Sequence, residues 1–158
     1  MNAIVAPATI DLRPATADDL PGIERLLAGA GLPSPGADAH PSLFVVGEGA
    51  DGLVCAGGME RHGAFALLRS VVVADGARGL GLGKRVLARL LEQGRRLDIT
   101  GFYLLTTAAV DYFKTAGFAV TTRSRVPLAV RQSSQFQGVC PDSAVVMSLC
   151  LDRGGQPN

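Results

Sequence analysis

A chain of 158 residues that is 47% apolar and only 18% charged can bury a core of its own and carries too little charge to remain disordered. Its formal net charge of +1 gives no general attraction for nucleic acid or an acidic membrane surface, so neither is expected as a partner. Cys55, Cys140 and Cys150 are odd in number and widely spaced, with no C-x-x-C and no paired histidines, which supports neither a disulfide framework nor a zinc site; no metal is expected. Each thiol reads as a small buried or half-buried group, least clearly Cys140, which has polar neighbours. The opening M-N-A-I-V-A-P-A-T-I-D has no basic flank and no long apolar run, so it reads as neither a signal peptide nor a membrane span, and a reducing cytoplasm is the expected location. With no internal repeat, one domain over residues 1–158 is expected, its core at about residues 10–151.

Taken in order, residues 10–14 read as a first short strand. Thr16 precedes A-D-D-L with Asp19 three positions on, which predicts a capping-box helix start, and Asp18 and Asp19 suit the positive end of the helix dipole. Leu20, Ile23, Leu26 and Leu27 share one helical face, which Gly29 and Gly31 end. Residues 32–42 hold too much proline for a regular element and read as a loop able to cover a substrate. Residues 43–46 and 53–59 are apolar runs around G-E-G-A-D-G, which predicts a hairpin; Gly57-Gly58 predicts a bulge or a close backbone approach. Arg61-His62-Gly63 is a further turn, with His62 expected at the surface, into a third antiparallel strand over residues 64–73.

The most informative stretch follows. The β-branched run Val71, Val72, Val73 predicts a buried strand that Asp75-Gly76 breaks. Arg78, Gly79, Leu80, Gly81, Leu82, Gly83 and Lys84 then form a glycine-rich bend where a backbone must approach something closely. Leu82, Val86, Leu87, Leu90, Leu91 and Leu97 recur at helical spacing, so the bend opens into an amphipathic helix whose first N–H groups, with Arg78, Lys84 and Arg85, make an anion site. A P-loop is excluded because Arg78 stands five residues before Gly83 and Arg85 follows Lys84. G-x-G-x-x-G is excluded too, since counting from Gly79 meets Lys84 and from Gly81 meets Val86. What fits is R-x-x-G-x-G, carried by Arg78, Gly81 and Gly83 between a strand and a helix.

Residues 102–106 then read as a strand parallel to the one before the helix. Thr107 is placed to cap a helix running to Ala116, with Gly117 just past its end and Phe118 making the apolar contact beyond. Val126-Pro127-Leu128 begins a short helix with proline near its start.

The R-x-x-G-x-G bend after V-V-V resembles the acetyl-CoA pyrophosphate loop of the GCN5-related N-acetyltransferase (GNAT) family, and the helix-G-F ending at Phe118 is similar to that family's. The pattern V-P-x-x-V-x-x-S-x-Q-F-x-x-x-C-P-x-S-A-V-V-M over residues 126–147 resembles two branches: arsenic-resistance N-acetyltransferases and short amino-acid acetyltransferases of the N-acetylglutamate synthase kind. L-L-R-S-V-V-V at residues 67–73 looks more like the former. The resemblance implies an α/β (α+β) GNAT fold, a mixed central sheet with antiparallel N-terminal strands, a splayed parallel pair and helices on both faces. It implies acetyl-CoA as co-substrate, with the pantetheine held by Val71, Val72 and Val73 and the pyrophosphate by residues 78–84. The implied activity is N-acetylation of a small amino acid or analogue, with an arsenic-containing glutamate analogue as the specific candidate. The rivals are an N-acetylglutamate synthase of arginine synthesis and a catalytically silent acyl-CoA sensor; a small-molecule amine is the expected partner, and a homodimer stays open.

Two departures from the family matter. Its usual tyrosine acid, four residues before the glycine of the helix-G-F ending, is replaced by Phe113; Tyr112, turned about 100° around a helix, is the substitute candidate, against a surface aromatic role. The glutamate base that the synthase branch tends to carry before the loop is replaced by Leu67. For a substrate carboxylate, Arg69 inside an apolar strand is the first candidate, against a structural ion pair, because a guanidinium there needs an anion. Ser70, Thr106, Thr107, Gln135 and Ser143 are candidate polar contacts, Phe136 a candidate apolar wall, and Arg123, Arg125 and Arg131 further anion candidates.

Overall fold

The computed structural model describes residues 10–34, 40–133, 136 and 143–150. Among these residues, seven strands and four α-helices follow one another as β1 (Leu12–Pro14), α1 (Leu20–Gly29), β2 (Phe44–Gly49), β3 (Gly52–His62), β4 (Phe65–Val73), α2 (Leu82–Arg96), β5 (Gly101–Thr106), α3 (Val110–Thr115), β6 (Ala119–Val120), α4 (Leu128–Arg131) and β7 (Val145–Cys150). The strands form one mixed sheet in the order β1-β2-β3-β4-β5-β7-β6, in which β4 and β5 are the parallel pair. This is the expected mixed α/β architecture. Among the described residues, no helix is long and apolar enough to cross a membrane. The chain divides into two compact units, one of Met1–Met59 with Ser70–Gln93 and one of Glu60–Arg69 with Gly94–Asn158.

In the first unit the start of α1 is fixed as its sequence dictates. The Thr16 N–H donates to the Asp19 carboxylate at 2.8 Å, and the Asp19 N–H returns to the Thr16 carbonyl at 2.9 Å. Arg13 adds a fork onto Asp19, Nη1 to Oδ2 at 2.7 Å and Nη2 to Oδ1 at 3.0 Å, and also reaches Glu48. That guanidinium, helped by the Thr16 backbone, holds the Asp19 carboxyl down to about 2. A depressed folded-state pKa contributes stability that is present above about pH 4 and lost as pH falls through about 2. Asp19→Asn should therefore be less stable than the parent at pH 5, and the gap should close on acidification toward pH 2, as measured by denaturant unfolding across about pH 2–6.

Consecutive residues of β3 face opposite sides, and the two helices of this unit use that alternation. A Cβ on Gly57 would lie 2.6 Å from Val86 and 3.0 Å from Leu90, so α2 sits directly on the strand there. A Cβ on the next residue, Gly58, would meet the Phe44 ring. Ala56, Phe44, Val46 and Val72 pack with Ile23 and Leu27 of α1. The Gly57-Gly58 pair thus marks close approach rather than a bulge; the register shift falls between Gly47 and Glu48. Gly31, at φ 69, carries the left-handed turn that ends α1.

In the second unit, Phe65–Leu67 of β4 pair with Gly101–Tyr103 of β5, and β5 continues antiparallel onto β7. Phe65, Leu67, Tyr103 and Leu105, all odd-numbered and so on one face, pack with Val126, Val130, Val146 and Phe136. Phe102 faces the other way, against Gly94 of α2. A methyl group on Gly94 would overlap the Phe102 ring. Alanine normally stabilises a helix interior by about 1 kcal/mol over glycine; here overpacking should reverse the sign, and Gly94→Ala is expected to cost about 1–3 kcal/mol in a urea titration. The α3 end is as expected: Gly117 adopts φ 99, and Phe118 donates its N–H to the Phe113 carbonyl and stacks edge-on against that ring.

Candidate functional site

In the first unit, β4 delivers Val71, Val72 and Val73 to the bend before α2. Val72 is buried; Val71 and Val73 are half-buried. Gly79 and Gly81 adopt φ 81 and φ 76, left-handed turns that favour glycine, and a Cβ on either would have no atom within 4 Å. Glycine is therefore required here by backbone conformation, and the space over the bend is open. Leu82, 1% exposed, anchors the first turn of α2 with Val86, Leu87 and Leu90. The first helical bond comes from the Arg85 N–H to the Gly81 carbonyl at 3.1 Å, so the N–H groups of Leu82, Gly83 and Lys84 precede the helical ladder. Such a set of donors at the positive end of a 15-residue helix suits a phosphate. Arg78 and Lys84 are exposed beside it, while Leu80 is half-buried. The expected third cation is turned elsewhere, since Arg85 donates to the Ile10 carbonyl at 2.8 Å.

Ser70 also adopts a left-handed conformation, at φ 60. No sequence signal marked it, because serine has no preference for that region. The residue interrupts the pleat of β4 between its apolar first half and the valine run.

The second unit gathers four polar side chains that the sequence scattered. The Arg69 guanidinium, only 8% exposed, meets the Glu60 carboxylate at 2.5 Å. The other Glu60 oxygen accepts the hydroxyl of buried Ser133 at 2.8 Å and lies 3.1 Å from His62 Nε2. His62 is thus the half-buried end of β3 rather than a surface turn residue. The anion that Arg69 demands is supplied by the protein itself. Glu60 escaped the sequence reading, yet counting outward from the turn at residues 63–64 pairs position 60 with position 67, which makes Glu60 and Arg69 diagonal neighbours on one face.

Beside this cluster, Arg123, Leu128, Arg131, Gln132 and Phe136 line an open pocket of about 300 Å³. The Arg123 guanidinium lies over the Phe136 ring, 5.5 Å from its centre. Thr106 Oγ1 accepts the Ala109 N–H at 3.1 Å and so takes the helix-start role expected of Thr107, which is exposed; α3 begins only at Val110. Ser143 is exposed in a turn, and Gln135 and Cys140 lie outside the described residues. Phe113 is buried between Tyr112 and Phe118. Tyr112 is 37% exposed, and partial burial raises its phenol above the ordinary value, leaving it protonated at neutral pH as an acid must be. Tyr103, which the sequence reading passed over, is buried on the Leu67 face with its phenol also raised by burial. Cys55 is buried and its thiol pushed up to about 11, chiefly by desolvation, so it is inert; Cys150 is exposed at the end of β7.

Known proteins place this arrangement. The sequence profile of the acetyltransferase (GNAT) family matches residues 33–118, more than half of the chain. No curated protein matches it. Among solved structures, N-acetylglutamate synthase from Neisseria gonorrhoeae, complexed with coenzyme A and N-acetyl-glutamate, is similar with a TM-score of 0.78 at 21% identity. That likeness covers 91% of this chain and 35% of the synthase, so the chain spans about a third of that protein's length. A Mycobacterium tuberculosis protein in complex with CoA and NLQ is similar over 89% of this chain and 99% of its own, with a TM-score of 0.72 and 20% identity. A GNAT-family acetyltransferase from Staphylococcus aureus is similar over 91% and 100%, with a TM-score of 0.76 and 15% identity. These likenesses establish the shared fold, and the profile match establishes kinship: the chain belongs to the acetyltransferase (GNAT) family.

Proposed function

We propose that this protein binds acetyl-CoA with its pyrophosphate on residues 78–84 and transfers the acetyl group to the α-amine of a small amino acid or amino-acid analogue. The observation that carries the cofactor assignment is the pair of left-handed glycines, Gly79 and Gly81, opening into α2 beneath unobstructed space. Backbone N–H groups of Val71, Val72 and Val73 hold the pantetheine arm in this reading and polarise the thioester carbonyl. The neutral amine attacks that carbonyl, the C–S bond breaks, the nitrogen loses a proton to solvent, and the departing thiolate takes a proton, for which Tyr112 is the candidate donor. An amino-acid substrate is supported by the likeness of residues 126–147 to the amino-acid-acetylating branches. L-L-R-S-V-V-V favours an arsenic-containing analogue of glutamate over glutamate itself, as does Leu67 in place of the synthase's glutamate.

Release of free thiol from acetyl-CoA with a panel of amino acids and matched amines without a carboxylate tests this reading. Turnover confined to amino acids supports it, with the arsenic-containing analogue expected to outrun glutamate. Preference for glutamate would favour an N-acetylglutamate synthase. Tight acetyl-CoA binding with no turnover on any amine would favour a silent sensor, the alternative suggested by Phe113 and Leu67 at the positions of the family's usual acid and base.

A further inference from the structure

The amino-acid reading requires a partner for the substrate's carboxylate, and the first candidate from sequence, Arg69, already has its charge matched by Glu60. A second anion at Arg69 would have to compete with a carboxylate held in place by Ser133 and His62 as well. The pocket beside α4 offers a different solution. Of the five described residues that line it, two are arginines and a third, Gln132, brings a carboxamide. Arg123 lies over the Phe136 ring, its guanidinium carbon 5.5 Å from the ring centre, which keeps the cation at the wall of the pocket. Phe136 in turn packs against the cluster of Leu67, Tyr103, Val126, Val130 and Val146. Leu128 is 63% exposed, a large apolar side chain left at the rim. A volume of about 300 Å³ falls at the small end of ligand sites, the size for an amino acid rather than a peptide.

We propose that this pocket receives the carboxylate of the amino-acid substrate, with Arg123 supplying the charge, Arg131 and Gln132 hydrogen bonds, and Phe136 and Leu128 covering the aliphatic part of the ligand. This rests on the N-acetyltransferase reading for the identity of the ligand. Its link to the rest of the unit is short, because Ser133, next along the chain from Gln132, is the residue that anchors to Glu60.

The test uses Arg123→Gln and Arg131→Gln, with Arg123→Lys as a variant that keeps charge but loses the fork. For the best amino acid, each Gln variant should raise KM at least about tenfold, while kcat/KM for the same amine lacking its carboxylate changes less than about twofold; Arg123→Lys should fall between. A second readout needs no turnover. Glutarate, a dicarboxylate with no amine, should shift the Gln132 amide resonance of the parent protein in an NMR titration and bind at least about tenfold more weakly to either Gln variant. If no amine is acetylated, the activity reading fails, and the glutarate titration still decides whether the pocket holds carboxylates. Failure of glutarate to perturb Gln132 in the parent, unchanged affinity in the folded variants, or equal losses for amino acid and amine would each overturn the proposal.

Discussion

Replacing Gly81 by aspartate should weaken acetyl-CoA binding by about a hundredfold while leaving the protein folded. Gly81 adopts φ 76, where a side chain costs about 1–2 kcal/mol, so the loop would leave this conformation when free and have to regain it on binding. A carboxylate within a few ångströms of the pyrophosphate adds about 1 kcal/mol or more of repulsion even at the dielectric of water. The sum, about 3 kcal/mol, is a hundredfold in Kd. Folding should survive because no atom lies within 4 Å of the position a Cβ would take. Gly81→Ala separates the two causes: it keeps the strain, omits the charge, and should lose about tenfold. Calorimetry on both variants beside the parent checks this, and unchanged affinity in a folded Gly81→Asp protein would remove the pyrophosphate from this bend.

The second large effect is on stability and concerns Arg69 and Glu60. Arg69 is 8% exposed and Glu60 24%, so removing either partner leaves a poorly solvated charge. Arg69→Met and Glu60→Leu are each expected to cost about 3 kcal/mol in urea unfolding, in the range for broken buried pairs. The Glu60 variant also removes an acceptor of the buried Ser133 hydroxyl. The double variant should be far less destabilised than the sum of the two, because it removes both charges together. Losses below about 0.5 kcal/mol would mean that this pair behaves as an exposed one.

How much of this was legible in the sequence follows from what each signal physically encodes. The glycine bend and α2 were legible because φ requirements and a period of 3.6 leave marks in residue type: Gly79 and Gly81 turn the chain in left-handed conformations, and Leu82, Val86, Leu87 and Leu90 lie buried as their spacing implies. Gly117 and Phe118 at the end of α3 are similar. The left-handed Ser70 left no mark, since a conformation imposed by tertiary context on a serine is invisible to propensity. Thr106 displaced Thr107 as the helix-start acceptor because adjacent threonines have the same local chemistry, and the choice is made by where β5 ends. The Glu60, His62, Arg69 and Ser133 cluster joins residues up to 73 positions apart, and such contacts are written in strand register rather than in any local pattern. The Arg123 and Arg131 pocket was visible only as loose candidates, because three arginines in nine residues look the same whether solvated or convergent.

The measurement that bears most directly on the proposed activity is the fate of the acetyl group itself. The protein, acetyl-CoA carrying an isotopically labelled acetyl group, and a mixture of amino acids with their decarboxylated counterparts would be incubated together and the products resolved by mass spectrometry. The expected result is label on the α-nitrogen of one or a few amino acids, in amounts equal to the thiol released, with none on the decarboxylated amines. Label on the decarboxylated amines as readily as on amino acids, or thiol release without any labelled amine, would contradict it.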